Sequence, residues 1–153
     1  MKSVALQNEQ NQIDKIIIQI QAFKGDPYFE ALLVYYLCIR ISGFLENCIR
    51  IYFLEYANLK CQDYVKTFME NRLKRFPNPT WSEITKLIKD FNEQWVIDIK
   101  KSVPPQWLSS LESINNNRNN IAHGGTSSVT LRELALYYQD IVNILETIEN
   151  ICN

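Results

Sequence analysis

Apolar side chains recur at steps of three and four residues along most of the chain, which is the spacing of one face of an α-helix. The longest such run extends over about residues 29–60, and its apolar members include Leu33, Leu37, Ile41, Phe44, Cys48, Tyr52 and Tyr56. We therefore predict one long core helix. Ser42 and Gly43 interrupt the run at its middle. Because glycine inside a helix costs about 1 kcal/mol of helix propensity, we expect another helix to approach closely at Gly43.

Shorter periodic runs predict further helices on either side of the long one. They cover about residues 4–23, 61–76, 80–90, 105–123 and 130–152. Thr80 and Thr130 are each followed three residues later by a glutamate, which is the pattern of a capping box at a helix N-terminus. Residues 95–101 fit no single pattern. With only 4 Gly and 5 Pro the chain lacks the turns of an all-β sandwich, so we predict an all-α protein.

Composition and charge are those of an ordinary globular domain. The 153 residues are enough for one core, so we treat residues 1–153 as a single domain. Hydrophobic residues make up 46% and charged residues 22%, which excludes a disordered tail and a membrane bundle. The net charge is -1. RNA or phosphate would therefore have to bind at a local patch rather than through bulk charge.

The cysteines and the first residues indicate a reducing cellular compartment. Four cysteines without a C-x-x-C pair and a single histidine offer no zinc-site spacing, so we expect reduced thiols and no bound metal. Residues 1–10 turn polar too early for a signal peptide, and no segment approaches the ~18 uninterrupted apolar residues of a membrane span. We expect a cytoplasmic protein that does not contact a membrane.

The segment from Arg118 to Gly125 departs from the packing pattern. At about 100° per residue, Arg118 falls within about 40° of the apolar line formed by Trp107, Leu111, Ile114 and Ile121. A guanidinium on a buried stripe costs several kcal/mol to desolvate unless it is paired or faces a polar cleft. His123 lies at the helix end, where Gly124 can take the left-handed cap conformation and leave the imidazole exposed.

Arginine and histidine together suit the cleavage of RNA by its own 2′-hydroxyl. This reaction needs one proton removed, one proton supplied to the leaving oxygen, and stabilisation of the phosphorane charge. A histidine, with an unperturbed pKa near about 6.5, can serve the proton steps, and an arginine can bind two phosphate oxygens. Neither step needs a metal or another cofactor. Because the two side chains diverge on one helix, two copies related by a two-fold axis would form a better site than one.

A purely structural interpretation accounts for the same residues. His123 would donate to the last helical carbonyls, and Arg118 would pair with a core carboxylate such as Glu46. The surrounding asparagines would reflect only a chain rich in Asn. Residue chemistry alone leaves both interpretations open. The aromatic side chains of Tyr35, Tyr36 and Tyr52, and the three tryptophans Trp81, Trp95 and Trp107, are expected to pack in the core.

At these residues the sequence resembles the HEPN superfamily. Its motif is an Arg, four to six further residues and a His, with a polar residue directly after the Arg, and Arg118, Asn119 and His123 match it. The wider match resembles the RiboL-PSP-HEPN branch. Its blocks in this chain are Ile41-Ser42-Gly43-Phe44-Leu45-Glu46, Arg72-Leu73-Lys74-Arg75-Phe76-Pro77-Asn78-Pro79, Phe91-Asn92-Glu93-Gln94-Trp95 and Asn117-Arg118-Asn119-Asn120-Ile121-Ala122-His123-Gly124. They keep the family order over about residues 30–150, and residues 1–28 form an N-terminal helix and turn.

The resemblance implies an all-α bundle of HEPN type with a long central helix, assembled as a two-fold homodimer. In active members it implies a metal-independent endoribonuclease of toxin–antitoxin or phage-defence systems. Arg118 and His123 then match the catalytic pair, Asn119 the accompanying polar residue and Glu46 an acidic position near the site. From the residues alone, an ion pair between Glu46 and Arg50 is equally consistent.

The resemblance also bears on how the protein is regulated and on its partners. HEPN toxins controlled by a nucleotidyltransferase antitoxin usually carry a Tyr two residues after the His, where this chain has Gly125, so control by nucleotide transfer is doubtful. An antitoxin or defence-system protein is a candidate partner. The alternative function is a HEPN module that binds RNA or a partner protein without cutting RNA.

Candidate RNA contacts lie outside the motif as well. Asn120 is next to it, and Lys66, Arg72 and Arg75 belong to a basic run that could guide RNA toward a cleft. An exposed helix face of mixed charge explains the same run without RNA.

Overall fold

The computed structural model describes residues 3–74 and 76–152, and over these ranges the chain folds into helices without a β-strand. The helices are α1 (Val4–Ala22), α2 (Pro27–Lys60), α3 (Asp63–Leu73), α4 (Trp81–Phe91), α5 (Glu93–Ser102), α6 (Pro105–Ala122) and α7 (Leu131–Ile151). The prediction of an all-α protein with one long helix is confirmed.

Two helices differ from the sequence prediction. Residues 95–101, which fit no single pattern, lie in α5, where the Asn92 side chain caps the helix by accepting from the Gln94 backbone N–H at 2.8 Å. The short α5 buries Val96 and Ile99. In contrast, α3 is shorter than the predicted helix over residues 61–76, because Cys61 already ends α2.

Both predicted capping boxes are present. Thr80 accepts from the Glu83 backbone N–H at 3.3 Å, and Thr130 accepts from that of Glu133 at 3.2 Å. Each glutamate accepts in return from the backbone N–H and the hydroxyl of its threonine. These hydrogen bonds stabilise the carboxylate form and lower the pKa of Glu83 and of Glu133. The boxes fix where α4 and α7 begin.

Helix α2 is the centre of the bundle, and α1, α3, α6 and α7 pack around it. Its inward residues have no exposed surface, and they include Leu37, Ile41, Leu45, Ile49 and Phe53. Helix α6 packs chiefly on α7 and α2 and also contacts α4. Helix α6, whose C-terminal end carries Arg118, is therefore held against the two longest helices.

Gly43 does not mark a helix crossing within the chain. A Cβ built on it would meet no atom within 4 Å, so the expectation of a close helix approach there is wrong for a single copy. The apolar length of α2 is greater than the sequence analysis allowed, since it expected no segment close to a membrane span. By length and composition α2 could cross a membrane, but half of its most apolar 18-residue stretch is buried inside the bundle, as in the core helix of a water-soluble protein.

All four cysteines are free thiols, and Cys38, Cys48 and Cys152 are buried. Burial raises the pKa of Cys38 to about 11 and that of Cys152 to about 12. These thiols stay protonated near neutral pH and pack as small apolar side chains.

Candidate functional site

The motif lies at the C-terminal end of α6, where the chain forms a complete glycine cap. Gly124 has φ +76°, and its N–H donates to the Ile121 carbonyl at 3.1 Å, while the Gly125 N–H donates to the Asn120 carbonyl at 2.8 Å. These two hydrogen bonds form a Schellman motif. His123 is the last residue before the left-handed glycine, and its side chain is exposed as the sequence predicts.

We expect Gly124→Ala to destabilise the protein by about 1–2 kcal/mol, because a side chain in the left-handed region crowds its own backbone. The His123 imidazole would shift as the cap rearranges. Thermal unfolding measures the first effect, and the chemical shifts of the His123 ring measure the second. Ser128→Ala, an exposed change in the following loop, is the control. An unchanged melting temperature for Gly124→Ala would contradict this account of the cap.

Gly125 also lies close to the helix backbone. A Cβ at this position would stand 3.0 Å from the Asn120 carbonyl oxygen, tighter than nine in ten Cβ contacts in proteins. A larger residue would therefore require that carbonyl to shift by a few tenths of an ångström. A side chain at position 125 thus adjusts the cap that presents His123.

Arg118 is half-buried and binds no carboxylate among the described residues. Its Nη1 donates to the Oδ1 of the adjacent Asn119 at 3.2 Å, which is an exposed hydrogen bond. The proposed core ion pair with Glu46 is absent from the described structure, which therefore does not support the purely structural interpretation of Arg118. Within the same ranges, the His123 imidazole makes no hydrogen bond to a helical carbonyl. Both groups are therefore free to bind a ligand.

A set of hydrogen bonds that the sequence did not indicate holds the loop after His123. Ser127 Oγ donates to Asn117 Oδ1 at 2.6 Å. The Tyr35 hydroxyl donates to the Ser127 carbonyl at 2.9 Å and accepts from the Ser127 N–H at 3.0 Å. We call Tyr35, Asn117 and Ser127 the loop clasp. Tyr35 is only half-buried and Tyr36 is 46% exposed, so the prediction that both are core residues is wrong for Tyr36.

Glu46 binds the turn before α4 rather than an arginine. Its Oε2 accepts from the Asn78 backbone N–H at 3.0 Å, and Ser42 Oγ bonds the Asn78 side chain at 3.1 Å. Asn78 has φ 45°, a left-handed conformation that asparagine tolerates. Arg50 donates to Asn47 at 3.2 Å instead, so the described structure does not support the ion pair between Glu46 and Arg50. A catalytic role for Glu46 stays a prediction.

The predicted basic run lies on a different part of the bundle. Lys66 pairs with Asp63 at 3.0 Å and Arg72 pairs with Asp90, while Arg75 lies outside the described residues. Helix α3, which carries Lys66 and Arg72, packs on α2 and not on α6. Asn120 is exposed on α6, directly before the glycine cap. RNA contacts at these four residues stay predictions, and Asn120 adjoins the motif.

The comparisons with known proteins agree with the geometry. A family model described as RiboL-PSP-HEPN matches residues 5–153, nearly the whole chain. The chain belongs to the RiboL-PSP-HEPN family. This RiboL-PSP-HEPN match confirms the resemblance seen in the sequence, extends it to include α1, and indicates an RNase or another RNA-related function. Neither the curated proteins nor the solved structures that were searched gave a match.

A single copy of this RiboL-PSP-HEPN chain does not bring Arg118 and His123 to one point. They lie five residues apart, which is about 140° around the α6 axis and roughly 7.5 Å along it. Among the described residues, no three His, Cys, Asp or Glu side chains lie together as metal ligands would. The groups available at this end of α6 are thus a guanidinium, an imidazole and asparagine amides.

Proposed function

We propose that the protein is a metal-independent endoribonuclease that acts as a toxin or phage-defence effector in the cytoplasm. The observation that carries the proposal is the pairing of two unoccupied groups at one helix end: Arg118, which binds no described carboxylate, and His123, which is exposed on a fixed glycine cap. A helix that needed Arg118 only to fill its apolar stripe would be expected to pair the half-buried guanidinium with a carboxylate.

The chemistry follows from what each group can do. The 2′-hydroxyl oxygen of a ribose attacks the adjacent phosphorus, and the bond from phosphorus to the 5′-oxygen of the next nucleotide breaks. His123 removes the 2′-hydroxyl proton or gives a proton to the leaving 5′-oxygen. The Arg118 guanidinium binds the non-bridging phosphate oxygens and stabilises their growing charge. Asn119 holds the guanidinium through its Oδ1. The products are a 2′,3′-cyclic phosphate and a 5′-hydroxyl.

Two protomers complete the site in this proposal. An apolar stripe of exposed side chains runs along the first half of α2 and consists of Tyr28, Phe29, Leu32, Tyr36 and Ile39. By helical geometry it adjoins Tyr35, which binds the loop after His123. Apolar surface of this kind marks association sites. Burying the α2 stripe against a second copy would bring two Arg118 and two His123 near one phosphate.

The partner that controls such a nuclease is proposed to be an antitoxin or another defence-system protein. Gly125 stands where nucleotidyltransferase-controlled HEPN toxins usually carry a tyrosine, so an inhibitor that covers the site sterically fits this chain better than covalent modification. Such a partner would contact the exposed His123 and Asn120.

The test is cleavage of single-stranded RNA by the purified protein in EDTA. We expect cuts that leave 2′,3′-cyclic phosphate and 5′-hydroxyl ends. An oligonucleotide with a single 2′-deoxy sugar at the cut position should resist cleavage there, because the nucleophile is missing. Intact RNA in every sample, or cleavage that EDTA abolishes, would overturn the proposal. RNA that is bound but not cut would support the non-catalytic HEPN module instead.

A further inference from the structure

A cleft of about 410 Å³ opens between α4 and α6, beside the motif. Its walls include Trp81 and Ser82 from the start of α4 and Glu112, Asn115 and Asn119 from α6. The volume lies within the range of small-molecule sites. Trp81 packs partly against the core, and its large aromatic side chain also lines the cleft.

Asn115, one of the residues that line the cleft, carries a polar atom that the described chain leaves unsatisfied. Its Nδ2 donates to the Pro79 carbonyl at 3.3 Å. The Asn115 Oδ1 is buried and accepts no hydrogen bond. A buried acceptor without a donor costs about 1–3 kcal/mol, and a ligand donor would recover part of that. The amide torsion of asparagine is soft, so a rotation that gives up the long Pro79 contact would bring the oxygen to a ligand without movement of α6.

The polar wall of the cleft contains a carboxylate besides its asparagine amides and hydroxyls. The exposed Glu112 carboxylate forms no ion pair within residues 3–74 and 76–152 and adds a second acceptor beside Asn115. A carboxylate here repels phosphate, whereas an amino group can donate to both oxygens. The nucleobases that carry an exocyclic amino group are adenine, cytosine and guanine, and uracil carries none.

Asn119 connects the cleft to the motif. It lines the cleft, and its Oδ1 accepts from Arg118 Nη1 at 3.2 Å. It lies four residues after Asn115, which is about 6 Å along the helix axis. A nucleotide with its base in the cleft would thus direct its sugar and phosphate toward Arg118.

We propose that this cleft is a nucleobase subsite in which Trp81 stacks on the base and Asn115 and Glu112 accept from its exocyclic amino group. The inference rests on the proposed function for its place in RNA recognition, but binding of a base can be measured without cleavage. Base stacking on an aromatic side chain contributes substantially to single-strand binding and tolerates any base, so the amino preference comes from the two acceptors.

The experiment titrates nucleosides onto the wild-type protein and follows the Trp81 indole N–H and the Asn115 side-chain amide by NMR. Adenosine should bind about three- to tenfold more tightly than purine riboside, which lacks only the amino group. Cytidine should bind more tightly than uridine by a similar factor. Equal affinities within both pairs, or no saturable shift at these two residues, would overturn the subsite. Because the ligand is changed and not the protein, these outcomes do not depend on a variant folding.

Matched variants assign the contacts. Asn115→Leu should remove the preference for amino-bearing bases, whereas Gln106→Leu, which changes an exposed side-chain amide on the same helix outside the cleft, should keep it. Trp81→Leu should weaken the binding of every nucleoside by roughly tenfold. Trp107→Leu, a half-buried tryptophan that does not line the cleft, is its control. An amino preference that survives Asn115→Leu would overturn the assignment.

Cleavage separates the two proposals. Uridine oligonucleotides with one adenosine, cytidine or guanosine should be cut beside that nucleotide about three- to tenfold faster than elsewhere. Cleavage in EDTA without this preference would overturn the subsite and leave the nuclease intact. Amino-selective nucleoside binding by a protein that cuts no RNA would support the subsite and overturn the nuclease.

Discussion

Replacement of His123 with glutamine should lower the rate of RNA cleavage by about 10²–10⁴-fold, because the site loses its proton-transfer group. Glutamine keeps a polar side chain of similar length, and the exposed imidazole that it replaces makes no hydrogen bond among the described residues. The melting temperature should therefore stay within a degree or two of wild type. The measurement is the initial rate of cleavage in EDTA, read from the 2′,3′-cyclic phosphate ends.

Arg118 supplies the companion test. Arg118→Lys keeps the charge but not the two-pronged contact with phosphate, so we expect part of the activity to remain, and Arg118→Ala should lose more. Arg50→Ala is the matched control, since Arg50 is exposed on α2 and, among the described residues, donates to Asn47. A His123→Gln protein that cleaves RNA at the wild-type rate would remove the histidine from the mechanism.

Introduction of a charge into the α2 stripe should separate the protomers and abolish most of the activity. Leu32→Glu places a carboxylate in the proposed dimer contact, where it would be buried without a partner. We therefore expect the dissociation constant of the dimer to rise by at least about tenfold. Light scattering after size-exclusion chromatography measures the mass, and cleavage should recover as the protein concentration is raised. Leu59→Glu, at the opposite end of α2 and 81% exposed, should change neither property.

Mixed dimers test whether two copies share one site. Arg118→Ala protein and His123→Gln protein should each be inactive, and a mixture that has exchanged subunits should regain measurable cleavage. The heterodimer again contains one intact arginine and one intact histidine. A wild-type protein that is monomeric and fully active, or a mixture with no recovery, would count against a site built at a two-fold axis.

The fold could be predicted from the sequence because its signals are local. The periodic apolar stripe of α2 and the threonine–glutamate pairs at Thr80 and Thr130 each lie within one helix, so they survive without knowledge of the partners. Helix α5 was not predicted from the sequence because it buries only Val96 and Ile99, too few residues to produce a periodic pattern. Gly43 misled the prediction because a glycine can face open space as readily as another helix.

The site was predictable only in part. The exposure of His123 follows from the glycine after it, which is a local signal. The partners of Glu46 and Tyr35 come from distant loops, Asn78 and Ser127, whose sequence spacing contains no periodicity. The cleft between α4 and α6 likewise depends on how the Asn78 turn folds back onto α2. Hydrogen bonds between distant loops leave no pattern in a single sequence.

The loop clasp has a consequence for folding during synthesis of the protein on the ribosome. Tyr35 and Ser127 are 92 positions apart in the chain, so their contact forms only after the segment up to Ser127 has been synthesised. Chains are synthesised from the N-terminus, and contacts between distant positions form late because a large loop must first close. A nascent chain that already contains Arg118 and His123 but not yet Ser127 and helix α7 would lack both the clasp and the helix against which α6 packs. In the proposed nuclease, this order of assembly would keep the catalytic end unassembled until Ser127 and α7 have left the ribosome.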